Sequence, residues 1–174
     1  AGALELRSNV GLSVTSRTYN LAPEGTFGQA LDAVVPENGL EEGAVVYLQQ
    51  LGEDSAFRTN LSALNMGGAE ATIEIDLFDD NGALVGSFEM DIPASRFSQD
   101  DRPYRRRFGR NDIVGGYARI TVESGSGVYP YAAVIDNATA DPTGIVARPA
   151  AECPLDVAQE LAAIPGMTVT ELTT

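Results

Sequence analysis

Carboxylates and guanidinium groups are the only charged side chains with which this 174-residue chain could do chemistry, because it contains neither histidine nor lysine. Without an imidazole there is no Ser-His-Asp triad, no histidine general base and no histidine metal ligand. Without a lysine there is no Schiff base and no P-loop cation. A carboxylate-pair mechanism survives as an acid–base option. The chain has no Gly-x-Ser-x-Gly nucleophile elbow. These absences predict a non-catalytic chain that uses no cofactor.

Several local clusters could still bind something. Arg105, Arg106 and Arg107 stand together, with Arg102 and Arg110 on either side and Asp100, Asp101 and Asp112 among them. Such a patch could hold an acidic partner, including an acidic face of a second copy of this chain. The plainer reading is a solvated loop, whose tip would also invite proteolysis. Asp79-Asp80-Asn81-Gly82 has the look of a calcium-loop fragment, but it lacks the spaced ligands and distal Glu of an EF-hand. A hairpin turn accounts for it more simply. Asp136, Asn137 and Asp141 could cup a cation, or they could bond their own backbone in a turn. Arg58 and Asn60 could line a groove, or pair within and across strands. Tyr19, Tyr129 and Tyr131 could stack against a sugar, although alternating strand tyrosines usually pack at a core or its rim. Asn60-Leu-Ser62 and Asn137-Ala-Thr139 match glycosylation sequons, a three-residue pattern that arises readily by chance. Cys153 is the single cysteine. It suits an intermolecular bridge, a free thiol, or a partner lying elsewhere in a longer chain.

The net charge of −14 sets limits on partners. So acidic a surface repels DNA and anionic lipid, so nucleic acid is not an expected partner. All eleven basic residues are arginine, a bias that fits a GC-rich genome or a saline habitat. No apolar run approaches the roughly 20 residues of a membrane helix, so a soluble chain without membrane insertion is expected. The chain opens Ala-Gly-Ala-Leu with no initiator Met and no signal peptide. A mature secreted chain would begin so, and an artificial start would look the same.

The elements that must carry these residues are strands. In Thr72-Ile-Glu-Ile-Asp-Leu77, Ile73, Ile75 and Leu77 share one face and acids the other, as in a half-buried antiparallel strand. Leu84, Gly86, Phe88, Met90 and Ile92 alternate again beyond Asn81-Gly82, which favours a type I′ turn. Residues 70–92 are thus predicted to form a hairpin, ended by Pro93. Further strands are expected at Val10 to Asn20, Ala44 to Leu51, Phe57 to Asn65, Tyr117 to Glu123 with Ala118, Ile120 and Val122 inward, Val128 to Asp136, and Ile145 to Ala147. The Val128–Asp136 segment is apolar on both faces, as in a central strand, but Pro130 lacks a ladder donor. Residues 21–43 and 97–116 read as loops. A short helix is expected only in the tail, from Pro154 to Pro165-Gly166. About eight or nine strands with Gly, Pro and Asn turns predict an all-β, antiparallel β-sandwich, Ig-like or jelly-roll-like, with a short C-terminal helix. The sandwich is expected over residues 1–149, with residues 150–174 a linker and tail. Gly11 to Gly25 and Gly127 to Gly144 also look alike. Each is a strand ending in Asn, followed by a polar loop, and so a weak internal repeat or reused turn chemistry.

Ser13-Val-Thr-Ser-Arg-Thr-Tyr-Asn20, Gly25-Thr-Phe-Gly-Gln29, Phe57-Arg-Thr-Asn60, Asn65, Asp79–Gly82, Tyr131-Ala-Ala-Val-Ile-Asp-Asn-Ala-Thr139 and Asp141-Pro-Thr143 occur in an order that resembles a recurrent domain of large secreted proteins from environmental bacteria. The resemblance spans about residues 3–149. It implies an immunoglobulin-like sandwich accompanying proteases or other extracellular modules, with no activity of its own. The tail, residues 156–171, resembles the lead-in of secreted serine aminopeptidases that remove tripeptides. That likeness implies an accessory domain or propeptide of such an enzyme. Together these readings lead to an extracellular structural module, secreted or on a bacterial cell surface. Its partner would be protein: itself, as a homo-oligomer by strand addition, or a covalently linked secreted module. A carbohydrate-binding module is the remaining alternative.

Overall fold

The computed structural model describes residues 3–23 and 25–150. The described part is all-β, with antiparallel pairing throughout. An N-terminal hairpin pairs β1 (Thr15–Ala22) with β2 (Gly25–Asp32), from Thr15 opposite Asp32 to Ala22 opposite Gly25. A 3-10 turn at Pro36–Asn38 leads into β3 (Leu40–Glu41). Then follow β4 (Val45–Glu53), β5 (Phe57–Asn65), β6 (Ala71–Phe78), β7 (Leu84–Ile92), β8 (Phe97–Asp101), helix α1 (Pro103–Phe108), β9 (Ile113–Ser124), β10 (Ser126–Asp136), β11 (Pro142–Val146) and β12 (Arg148–Pro149). One five-stranded sheet has the order β12-β4-β9-β6-β7. The other has the order β11-β10-β5-β8, with β3 also beside β10.

The core lies between the two sheets. Leu48, Ile73, Ile75, Leu77 and Ile120 from the first meet Leu61, Ala63, Val128 and Ala132 from the second in one buried cluster. Alternation does what it predicts at β6 and β9, where Ile73, Ile75, Leu77, Ala118, Ile120 and Val122 are all buried. Asp76, on the other face of β6, is buried as well. The Arg119 guanidinium reaches it from the neighbouring β9 through Nε at 2.8 Å, and the Ser87 hydroxyl also donates to it. That makes a charge-assisted cross-strand cluster outside the core.

β5 alternates poorly in sequence because polar residues end its inward row. Thr59 Oγ1 donates to Gly52 O at 2.8 Å. Asn65, fully buried, donates through Nδ2 to Ala69 O and Ile92 O, both at 2.8 Å, and accepts from Gly67 N–H at 2.8 Å. One amide therefore ties the β5–β6 turn to the end of β7. Asn65→Ala is expected to destabilise the domain by about 2 kcal/mol, since it leaves these partners buried and unpaired. Urea unfolding of the two proteins measures it, and an unchanged midpoint would refute the role.

The structure corrects four readings. Residues 21–43 are not a long loop but contain β2, the 3-10 turn and β3. Residues 97–116 hold β8, α1 and the start of β9. The predicted strand from Val10 begins only at Thr15. The turn after β6 is not type I′. Only Gly82 has positive φ (77°), Gly82 N–H donates to Asp79 O, and Asp79 N–H donates to Ala83 O. This is a type I turn closed by a left-handed glycine, the three-residue hairpin loop. Asp79 Oδ1 accepts from Asn81 and Ala83 N–H, each at 3.0 Å, which selects that form.

Pro130 fits in the central strand for a topological reason. It lies opposite Ala63 on β5. On its other flank it falls between Val128, where β3 pairs, and Tyr131, where β11 begins. Asp136 N–H points to that flank, donating to Asp141 O, and alternation points the Pro130 nitrogen the same way. The missing donor therefore faces the gap. Residues 151–174, with Cys153, the predicted tail helix and the peptidase-like stretch, lie outside the described residues.

Candidate interaction surface

The three arginines singled out by sequence sit on a helix, not a loop. Pro103 starts α1 and Gly109 follows its last turn, donating to Arg105 O. The helix closes one end of the space between the sheets. Tyr104 is fully buried, and its hydroxyl lies 2.9 Å from Phe78 O and 3.1 Å from Tyr117 O, donating between them. Burial pushes the Tyr104 phenol up from its ordinary value, with Glu53 and Asp79 adding to the effect. Phe108 lies over Gly86, where a Cβ would stand 2.2 Å from the ring, so any larger residue at this position of β7 must displace the Phe108 ring.

With α1 anchored, Arg105, Arg106 and Arg107 point outward and are exposed. They do not form one free basic patch. Arg106 pairs with Asp101 at 3.0 Å. Arg107 Nε donates to Asp100 at 2.6 Å, and its guanidinium lies 3.9 Å from the Phe88 ring centre. Arg110 bonds Asp112 at 2.7 Å. Only Arg105 of the three has no described carboxylate within 4.0 Å. Its backbone N–H donates to Glu53 Oε1 at 2.8 Å. Burial pushes the Glu53 carboxyl up to about 7, against the opposing pull of the Arg105 and Tyr104 N–H groups and Arg102.

The other clusters resolve into turns and pairs. Asp136 Oδ1 accepts from Ala138 and Thr139 N–H at 2.7 and 2.9 Å, which holds its carboxyl below the usual range. Asn137 Oδ1 accepts from Arg58 at 2.8 Å. Among the described residues no group of three or more Asp, Glu, Cys or His side chains is placed to hold a metal. No helix among them is long and apolar enough to cross a membrane. Tyr129 and Tyr131 lie 6.5 Å apart with Phe97 next in the row, whereas Tyr19 stands on β1 against Arg17. The three tyrosines are therefore not one platform.

The surface that sequence reasoning missed is at the other end of the chain. Seven of the twelve strongly exposed large apolar side chains among the described residues lie before Pro36. Leu4, Leu6, Val10, Leu12, Tyr19 and Leu21 are each more than half exposed. β1 pairs with β2 alone, so its outer edge offers unpaired backbone groups. The strand carries one charge, Arg17, while the outer strands of the sandwich, β7 and β8, carry Glu89, Asp91, Asp100 and Asp101. The signal in sequence was Leu-rich chain ahead of β1 with little charge, obscured by the glycines of β2. Comparison with protein-family models, with curated proteins and with solved structures returned no match.

Proposed function

We propose that this chain is a non-catalytic extracellular interaction module that pairs with a second copy of itself through the β1–β2 hairpin. The observation that carries the reading is the coincidence of an unpaired β1 edge with the densest group of exposed apolar side chains. β2 lies against β11, but β1 has no neighbour beyond β2, so the two-stranded sheet gains from a further strand on that edge. Addition of β1 to β1 about a twofold axis supplies that strand and covers the apolar residues in the same step. Charge favours the same place. Residues 1–35 hold Arg7 and Arg17 against Glu5, Glu24 and Asp32, so two copies of this segment approach with little of the repulsion that the net −14 imposes elsewhere. A secreted or cell-surface setting and an immunoglobulin-like kinship rest on the sequence resemblance.

Light scattering on eluting protein, from micromolar to millimolar, tests the pairing. A mass rising toward the dimer is expected, and Leu21→Asp should return it to the monomer. A wild-type chain that stays monomeric throughout refutes it. The likeness of residues 156–171 to peptidase lead-ins supports a second reading, an accessory domain of a secreted serine peptidase. Reading the gene beyond Thr174 tests that one: a hydrolase domain in frame supports it and an immediate stop codon ends it.

A further inference from the structure

A cleft of about 310 Å³ opens beside α1, and its lining includes three arginines, Arg58, Arg102 and Arg105, two carboxylates, Glu53 and Asp54, and the ring of Phe57. Its composition is opposite to that of the protein as a whole. Carboxylates outnumber arginines 25 to 11 in the chain. Arg58, Arg102 and Arg105 each lack a described carboxylate partner within 4.0 Å, as do Arg17, Arg96 and Arg148 elsewhere, while Arg7, Arg106, Arg107, Arg110 and Arg119 have one, so three of the six arginines without an ion pair meet at this one opening. Three guanidinium groups without an ion pair, against the two carboxylates of Glu53 and Asp54, leave a local excess of positive charge that can receive an oxyanion.

Two buried polar atoms at the cleft have no partner in the protein: Glu53 Oε2 and Arg102 Nε. Glu53 is 1% exposed, so its idle oxygen is costly unless something bonds it. Arg102 is held with left-handed backbone (φ 56°), a strained state for a non-glycine residue, by donating its N–H to Thr59 O at 2.8 Å. Such strain concentrates where a side chain must be presented. Phe57, 43% exposed, adds an apolar face.

We propose that this cleft binds an acidic sugar, with the arginines holding its carboxylate and Glu53 bonding a ring hydroxyl. A simple carboxylate would satisfy the guanidinium groups but leave Glu53 Oε2 idle. A neutral sugar would do the reverse. A sugar acid meets both, and the C–H face of its ring suits Phe57. Burial keeps Glu53 partly protonated near neutral pH, so it does not drive the ligand's charge away. The Arg58–Asn137 bond at 2.8 Å fixes one wall of the site by joining β5 to the turn after β10.

Calorimetric titration of the full chain with glucuronate is the test, with glucose and acetate as comparisons. Saturable binding of glucuronate, and at least about tenfold weaker binding of both comparisons, is expected. Arg105→Ala, at an exposed side chain that supports nothing else, and Arg58→Gln should each weaken glucuronate about tenfold, while Arg148→Ala, on β12, should leave it unchanged. An oligouronate bound more tightly than the monomer assigns the cleft to an acidic polysaccharide, and equal binding assigns it to a single free or terminal unit; both support the site. No saturable binding of glucuronate, equal binding of glucose, or an Arg105→Ala protein that titrates like the wild type overturns it.

Discussion

Replacing Tyr104 by alanine is expected to lower the unfolding free energy by roughly 3–5 kcal/mol, the usual cost of emptying the space of a buried aromatic ring. The ring is fully buried, and little can collapse into its place, because α1 closes the gap between two sheets that are each held by their own ladders. Tyr104→Phe separates volume from the hydroxyl. It keeps the ring and leaves only Phe78 O and Tyr117 O without the shared donor, at about 1 kcal/mol. Urea unfolding of the three proteins measures both terms. The plug role is refuted if Tyr104→Ala costs no more than Tyr104→Phe. A cost confined to the hydroxyl would mean that α1 merely rests on the end of the sandwich.

Stability should also fall as pH rises through the weakly acidic range, and Glu53 should be the cause. Its carboxyl is raised from 4.5 to about 7 by burial. Below pH 4.5 the group is protonated whether the chain is folded or not. Between 4.5 and about 7 the unfolded chain releases the proton and the folded chain keeps it, so the unfolded state gains. The contribution is therefore complete below 4.5, is lost progressively up to about 7, and is level above. The loss is on the order of 3 kcal/mol. The Arg105 and Tyr104 N–H groups and the Arg102 guanidinium limit the loss without reversing its sign, and Asp101 adds to it. Asp112 and Asp136, whose carboxyls are lowered, act in more acidic solution and with opposite sign. Denaturation of wild type and Glu53→Gln at pH 5 and pH 8 isolates the effect. The glutamine keeps an acceptor for Arg105 N–H and removes the titration. Equal pH dependence in the two proteins would disprove the assignment.

The fold was legible where one face of a strand is wet and the other dry. β6 and β7 are legible because Ile73, Leu77 and Met90 repeat at period two against polar neighbours, β10 because it is a continuous apolar run, and β5, which alternates less cleanly, has the predicted bounds Phe57–Asn65. What was not legible had weak local signal and strong tertiary support. α1 is too short to show a period, yet Pro103 and Gly109 bracket it as a helix start and stop do. β2 carries Gly25 and Gly28, and its partner β1 supplies the ordering that its own pattern lacks. The candidate site divides the same way. The arginines stood out as a run, but only packing shows that Arg106 and Arg107 are engaged by Asp101 and Asp100 while Arg105 is left to the cleft. Glu53 gave no sign of its role, since a glutamate ending an apolar strand looks like any exposed edge residue.

The placing of β9 and β10, consecutive in sequence, at the centres of different sheets also governs the order in which this molecule can come into being. β9 stands between β4 and β6 in one sheet, and β10 between β5 and β11 in the other. Until residues 113–136 have left the ribosome, the first sheet exists only as the separate β6–β7 hairpin and a lone β4, and the second only as β5 with β8. Everything made earlier waits, with its apolar rows uncovered, for a pair of strands that joins Val46 to Ile120 and Asn60 to Ala133 across about seventy residues of chain. A nascent chain in that state is slow to collapse into a native core and keeps its apolar rows open to wrong partners until the last of these strands arrives.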